Sequence, residues 1–148
     1  MLSRLKFDIS DIVDNLFKEI NDPNGEYLDI AMGGGQFVKK AESITDPNKV
    51  FGWETNSIRV DYAINKNKLK GNYSIKDPQE PYSMDIANIN VIGNWPFTAG
   101  TGRAPISVKL MDNLLHNGIP KTLSVILHSG FLHTSDGGLS KLRKSIFD

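Results

Sequence analysis

The feature that most constrains this chain is a repeated alternation of short apolar runs with segments of helical period. "DISDIVDNLFKEI" (8–20) places Ile9, Ile12, Val13, Leu16, Phe17 and Ile20 three or four residues apart or adjacent, the apolar face of an amphipathic helix. Asp8 or Ser10 stands where a cap belongs, and "NDPNGE" is a turn cluster that ends it. "EYLDIAM" (26–32) reads as a buried strand closed by Gly33-Gly34-Gly35, and "QFVKKAESI" behind it reads as a helix. After the break at "DPNK" come a strand, "KVFGWE" (49–54), and a helix over 55–69. "GNYSIKD" (71–77) is a third strand and "INVIGNW" (89–95) a fourth. A helix over 104–119 opens with Pro105 and closes at Gly118, the asymmetry expected of helix ends. "TLSVILHS" (122–129) is a fifth strand, and "SKLRKSIF" a short basic helix or frayed tail.

Strand and helix in alternation, with short connections, predict an α/β fold: one doubly wound, mainly parallel sheet of about five strands, covered on both faces. At 148 residues the chain is one domain by size, 1–148. Right-handed crossovers bring every loop that follows a strand to the carboxyl edge of the sheet. Four distinctive segments are thereby predicted to converge: "AMGGGQF", "WETN", "KDPQEP" and "NWPFTAGTG".

Composition excludes more than it selects. Lys+Arg and Asp+Glu balance at 17 each, so no global field draws nucleic acid or a membrane. The chain has no cysteine, which excludes disulfides and thiolate metal sites and fits the reducing cytoplasm. His116, His128 and His133 lack paired ligand spacing, so no metal is expected. "MLSRLKFDIS" is not a secretory signal, and no apolar run approaches the length of a membrane span.

The chemistry lies in the strand ends. The triple glycine lets a ligand approach the backbone at a helix amino terminus, though a tight turn alone would use the same residues. It lacks the dinucleotide spacing, since Val38 stands where the third glycine belongs, and the lysine of a phosphate loop is missing. Glu54 ends the second strand, 25 positions after Asp29, where an acid accepts hydrogen bonds from ribose hydroxyls. Asp77 holds the equivalent place after the third strand, before Pro78, and is also an ordinary turn former. In Asn94-Trp95-Pro96-Phe97, the amide offers a donor and an acceptor, and Pro96 holds Trp95 extended, which aims its carbonyl. Phe97 offers a stacking face for a planar base, or a packed aromatic corner.

In this order the motifs resemble those of the S-adenosylmethionine-dependent DNA adenine amino-methyltransferases, most closely the restriction–modification branch. "FDISDIVDNLF" is similar to the family's Tyr/Phe-Thr-Pro helix start, with Asp8-Ile9 in place of Thr-Pro. "DIAMGGGQF" resembles the cofactor motif Asp-Pro-x-x-Gly-x-Gly-x-Phe: Asp29, Gly33, Gly35 and Phe37 match, and Ile30 replaces the proline. The ribose-binding acid falls on Glu54, and the position at the cofactor's adenine falls near Asp77. "NWPF" resembles the catalytic tetrapeptide Asn/Asp/Ser-Pro-Pro-Tyr/Phe/Trp, with Trp95 in place of the first proline.

The resemblance spans residues 7 to about 133 and implies a Rossmann-like fold, S-adenosyl-L-methionine as cofactor and DNA as partner. It also implies methyl transfer to an adenine amino group that has been flipped out of the duplex. Asn94 and the Trp95 carbonyl would hold that amino group and Phe97 would stack on the base. The family's sheet continues with an antiparallel strand pair, and usually with a target-recognition region. A sheet incomplete by comparison is therefore expected here, with no separate target-recognition domain. A second chain, a further domain or a larger protein would supply recognition. The alternative is a catalytically inactive methyltransferase-like binding or interaction module; a nucleotide-binding oxidoreductase domain is disfavoured by the glycine spacing.

Overall fold

The computed structural model describes residues 9–96, 106–127 and 144. Five strands form the sheet: β1 (Glu26–Asp29), β2 (Val50–Glu54), β3 (Asn72–Ile75), β4 (Ile89–Asn94) and β5 (Thr122–Ile126). Among the described residues they are accompanied by the α-helices α1 (Ile9–Glu19), α2 (Gln36–Glu42), α3 (Ser57–Asp61) and α4 (Ile106–Leu115). The strand order is β3-β2-β1-β4-β5 and every pairing is parallel. This is the doubly wound Rossmann-like arrangement the alternation predicts, with the order reversing between β1 and β4.

Burial explains why the strands read as continuous apolar runs. One core, on the α4 side, gathers Leu28, Ile30, Val91, Trp95, Leu110 and Leu114; the other, beneath α1 and α2, gathers Val13, Phe17, Tyr27, Phe37, Val38 and Ile92. Neighbouring residues of one strand thus enter opposite cores, as at Tyr27 and Leu28 or Val91 and Ile92, and neither face can be polar. The Tyr27 hydroxyl donates to the Ile20 carbonyl at 2.9 Å and accepts the Asp22 N–H at 3.0 Å, fixing the turn between α1 and β1.

Asn90 is a polar residue in the middle of this apolar sheet, 1% exposed. Its amide donates to Asp22 Oδ2 at 3.0 Å and to the Glu26 carbonyl at 3.2 Å, and its side-chain oxygen accepts the Thr122 hydroxyl at 2.9 Å. Lys121 Nζ closes the group on Asp22 at 2.6 Å.

Several elements are shorter than their sequence patterns suggest, α4, β3 and β5 among them, and for two others the reason is visible. β1 stops at Asp29 because its carboxylate accepts the Ala31 N–H at 3.0 Å, an Asx-type turn that bends the chain. The helix read over 55–69 is α-helical only to Asp61 and widens to a π turn over Tyr62–Lys66, with the Asn67 N–H reaching the Tyr62 carbonyl. Asn67 then donates its amide to the Gly34 carbonyl at 3.0 Å, and Lys68 takes a left-handed φ of 57°. A tertiary hydrogen bond to the glycine loop, invisible to local periodicity, accompanies this widening. The tail segment 140–147, apart from Lys144, lies outside the described residues. Among the described residues no helix is long and apolar enough to cross a membrane.

Candidate functional site

The reversal between β1 and β4 leaves a crevice at the carboxyl ends of the strands, the position where open α/β sheets bind ligands. It has two lobes that share Ala31, Gly33, Arg59 and Asn94. One lobe, about 620 Å³, is lined by Asp29, the glycine loop, Phe37, Lys39, Tyr62 and Asn67. The second, about 360 Å³, is lined by Glu54, Thr55, Asp77, Pro78, Gln79, Pro96 and the α4 residues Ile106 and Leu110. Both volumes suit a small-molecule site. A larger hollow of about 800 Å³ lies between α1 and α2 and shares no lining residue with the crevice, with a Lys40–Asp14 ion pair at 2.7 Å among its lining residues.

Of the residues singled out from sequence, Asp29, Gly33, Phe37, Glu54, Asp77, Asn94 and Pro96 line this crevice. Gly35 stands behind the loop as the left-handed cap of α2 (φ 90°), where an added Cβ would meet Leu69 Cδ1 at 2.8 Å. Gly33 also has a left-handed φ, 54°, but a Cβ there would meet nothing within 4 Å. Its bareness keeps space open in the crevice, whereas Gly35 serves the packing beneath. Trp95 sends its side chain into the α4-side core at 1% exposure. Phe97 lies outside the described residues.

The acids are held differently. Glu54 Oε1 accepts the Asn56 N–H at 3.0 Å and the Thr55 hydroxyl at 3.3 Å, and Oε2 stands 3.8 Å from Arg59 Nη1. Asp77 Oδ1 accepts the Gln79 N–H at 2.9 Å. The base of that loop is fixed by Lys76, whose Nζ lies 3.9 Å from the Trp53 ring centroid and 5.0 Å from that of Tyr82. Asp29 is 1% exposed, and burial pushes its carboxyl up to about 7. The Ala31 N–H opposes that rise, the Glu54 carboxylate adds to it, and the Trp95 indole N–H opposes it further.

This has a consequence for stability. A buried acid with a raised pKa binds more protons folded than unfolded at pH values between its two pKa values, here 3.8 and about 7. Stability falls as pH rises through that window and levels off above it, a loss on the order of 4 kcal/mol at about 1.4 kcal/mol per pKa unit. Asp29→Asn is expected to remove this slope. In denaturant titrations from pH 4 to 8 the variant should gain steadily on the parent; a constant difference between the two would refute the raised pKa.

Sequence reasoning passed over Arg59, Lys39 and Asn67. Arg59 and Lys39 bring cations to a crevice whose recognisable residues are acids and glycines. Their signal was weak, because each is one charge on a helix that carries others.

No family model matches the chain, and no curated protein matches it in sequence. Solved structures do match in fold. The modification subunit of a putative type I restriction enzyme from Vibrio vulnificus superposes with a TM-score of 0.73 at 15% identity, over 93% of this chain and 37% of that one. A TehB-like SAM-dependent methyltransferase from Corynebacterium glutamicum gives 0.57 at 15% identity, covering 90% and 71%. A putative RNA methyltransferase from Pyrococcus horikoshii gives 0.57 at 20% identity, covering 85% and 62%. The chain thus spans little more than a third of the restriction-enzyme subunit. At these identities the likeness establishes the Rossmann-like fold and leaves the chemistry to the site.

Proposed function

We propose that this chain is an S-adenosylmethionine-dependent methyltransferase domain that acts on the amino group of adenine in DNA. The observation that carries the reading is the crevice at the β1/β4 reversal, where Asp29 and Asn94 share one lobe and Asn94, Glu54 and Asp77 share the other. The chain's residues fit such a cofactor. Gly33 leaves room against the backbone, Glu54 is an acid placed for ribose hydroxyls, and Asp77 lines the same lobe as the apolar Ile106 and Leu110, which suit a base. Asp29 is a buried carboxylate with a use for a cationic group.

When bound, the cofactor would supply a sulfonium methyl; its transfer to the amine nitrogen would leave a neutral thioether and release one proton to solvent. The protein's share is alignment, worth several kcal/mol when near-attack geometry is held. The Asn94 side-chain oxygen accepts a hydrogen bond from the target amino group, the Trp95 carbonyl accepts another, and Phe97 stacks on the base. The likeness to a restriction-enzyme modification subunit supports DNA; the likeness to a putative RNA methyltransferase keeps RNA as the rival polymer. With charges balanced, target recognition falls to a second chain or a further domain.

Calorimetric titration of the folded protein with S-adenosylmethionine tests the cofactor assignment, and no heat beyond dilution would overturn it. Gly33→Ala sharpens the test. It is expected to cost only about 1 kcal/mol of stability, for a methyl group at a left-handed position in open space. Cofactor affinity should nevertheless fall about tenfold or more, because that methyl occupies the ligand's room. The second reading, an inactive interaction module, is favoured by one observation: Trp95 stands where the resembling enzymes carry proline.

A further inference from the structure

A buried indole N–H without a partner costs about 1–3 kcal/mol, so one that persists calls for a reason. Trp95 Nε1 is such a group: the residue is 1% exposed and the nitrogen has no hydrogen-bond partner among the described residues. Its surroundings show where it is aimed. A Cβ placed on Gly93 would stand 2.7 Å from Trp95 Nε1 and 2.6 Å from Asp29 Oδ1, so donor and acid border the same point in front of the Gly93 backbone. Gly93 has a φ of 149° and no side chain to part them. The Asp29 carboxylate already accepts the Ala31 N–H and, with about four acceptor positions, has capacity left.

We propose that Trp95 is a positioning residue of the crevice: its indole N–H, reaching past Gly93, orients the Asp29 carboxylate for a cationic group of the ligand. This rests on the reading of the crevice as a cofactor site. Proline at position 95 would offer no N–H at all, so the tryptophan adds a donor and does not merely replace a rigid residue. The N–H lies outside hydrogen-bond geometry, yet near enough to favour ionised Asp29. A ligand cation that holds Asp29 ionised draws the pair together. The other charged groups bordering Asp29 are Glu54 on β2, which opposes its ionisation, and Arg59 on α3 with Lys39 on α2, which line the same lobe. The three atoms nearest the point in front of Gly93 all belong to Asp29 and Trp95.

The indole proton reports directly. The chain has two tryptophans, so a proton–nitrogen correlation spectrum of the folded protein should show two indole signals, with Trp95→Phe identifying one. The Trp95 signal is expected to move with a midpoint near pH 7, to lose that movement in Asp29→Asn, and to leave the Trp53 signal unaffected. Trp95→Phe should weaken S-adenosylmethionine binding about tenfold and raise the midpoint of the Asp29-dependent change in stability. A Trp95 signal that stays flat from pH 5 to 9 in a folded protein overturns the pairing, and unchanged affinity in Trp95→Phe overturns its role in orienting the acid. If the signal titrates but the parent protein binds no S-adenosylmethionine, the pairing stands and the cofactor assignment falls.

Discussion

Replacing Asn94 by alanine is expected to lower methyl transfer to adenine-containing DNA at least 100-fold. Asn94 is exposed at the carboxyl end of β4 and borders both lobes, so a group there can touch a target base and the cofactor pocket together. Loss of one preorganised hydrogen-bonding group at a reacting centre costs about 10²–10³ in rate. The folded state should barely notice, because an exposed polar side chain at a strand end contributes within about 0.5 kcal/mol. Radiolabelled methyl incorporation at saturating cofactor, with affinity measured separately, distinguishes the outcomes. A parent protein that binds cofactor and transfers nothing, in the presence of its recognition partner, would hand the case to the inactive-module reading. Transfer that survives Asn94→Ala would move the catalytic corner elsewhere.

Gly93→Ala should lose more stability than Gly33→Ala or Gly34→Ala, about 3 kcal/mol or more. Its new Cβ would lie under 3 Å from Asp29 Oδ1, Trp95 Nε1 and Trp95 Cδ1, at a φ of 149°. Overpacking alone costs about 1–3 kcal/mol, and an unfavourable backbone region adds about 1–3 more. Neither neighbour yields easily, since Asp29 and Trp95 are each 1% exposed. Gly34→Ala is the control: nothing lies within 4 Å of its added Cβ. Chemical denaturation of the two variants side by side decides the matter. Equal midpoints would mean the space in front of Gly93 is not the crowded junction described.

Much of the architecture was legible because it is written in periodicity. A helical face at Ile9, Val13, Leu16 and Phe17, and apolar runs too short for helices, locate α1 and the strands wherever tertiary contacts agree with local pattern. The extent of α3 was not legible, since Asn67 binds the Gly34 carbonyl 33 positions away. In the crevice, residue types at strand ends could be read because a parallel sheet gathers those ends on one edge. Which glycine faces ligand and which faces packing could not, for Gly33 and Gly35 are alike in sequence and differ only in what stands in front of them. The junction of Asp29, Gly93 and Trp95 was hidden for the same reason: it exists only where β1 and β4 lie side by side.

Asn90 bears on how such a sheet avoids folding wrongly. A strand that is apolar on both faces incurs little penalty for sliding along its neighbour, since every offset still buries hydrocarbon. The Asn90 side chain, however, satisfies Asp22, the Glu26 carbonyl and Thr122 at one alignment of β1, β4 and β5 only. Displacement by one or two residues would strand an amide in a dry interior. Asn90 therefore works as a proofreader, indifferent to how tightly the sheet packs and intolerant of packing it out of step.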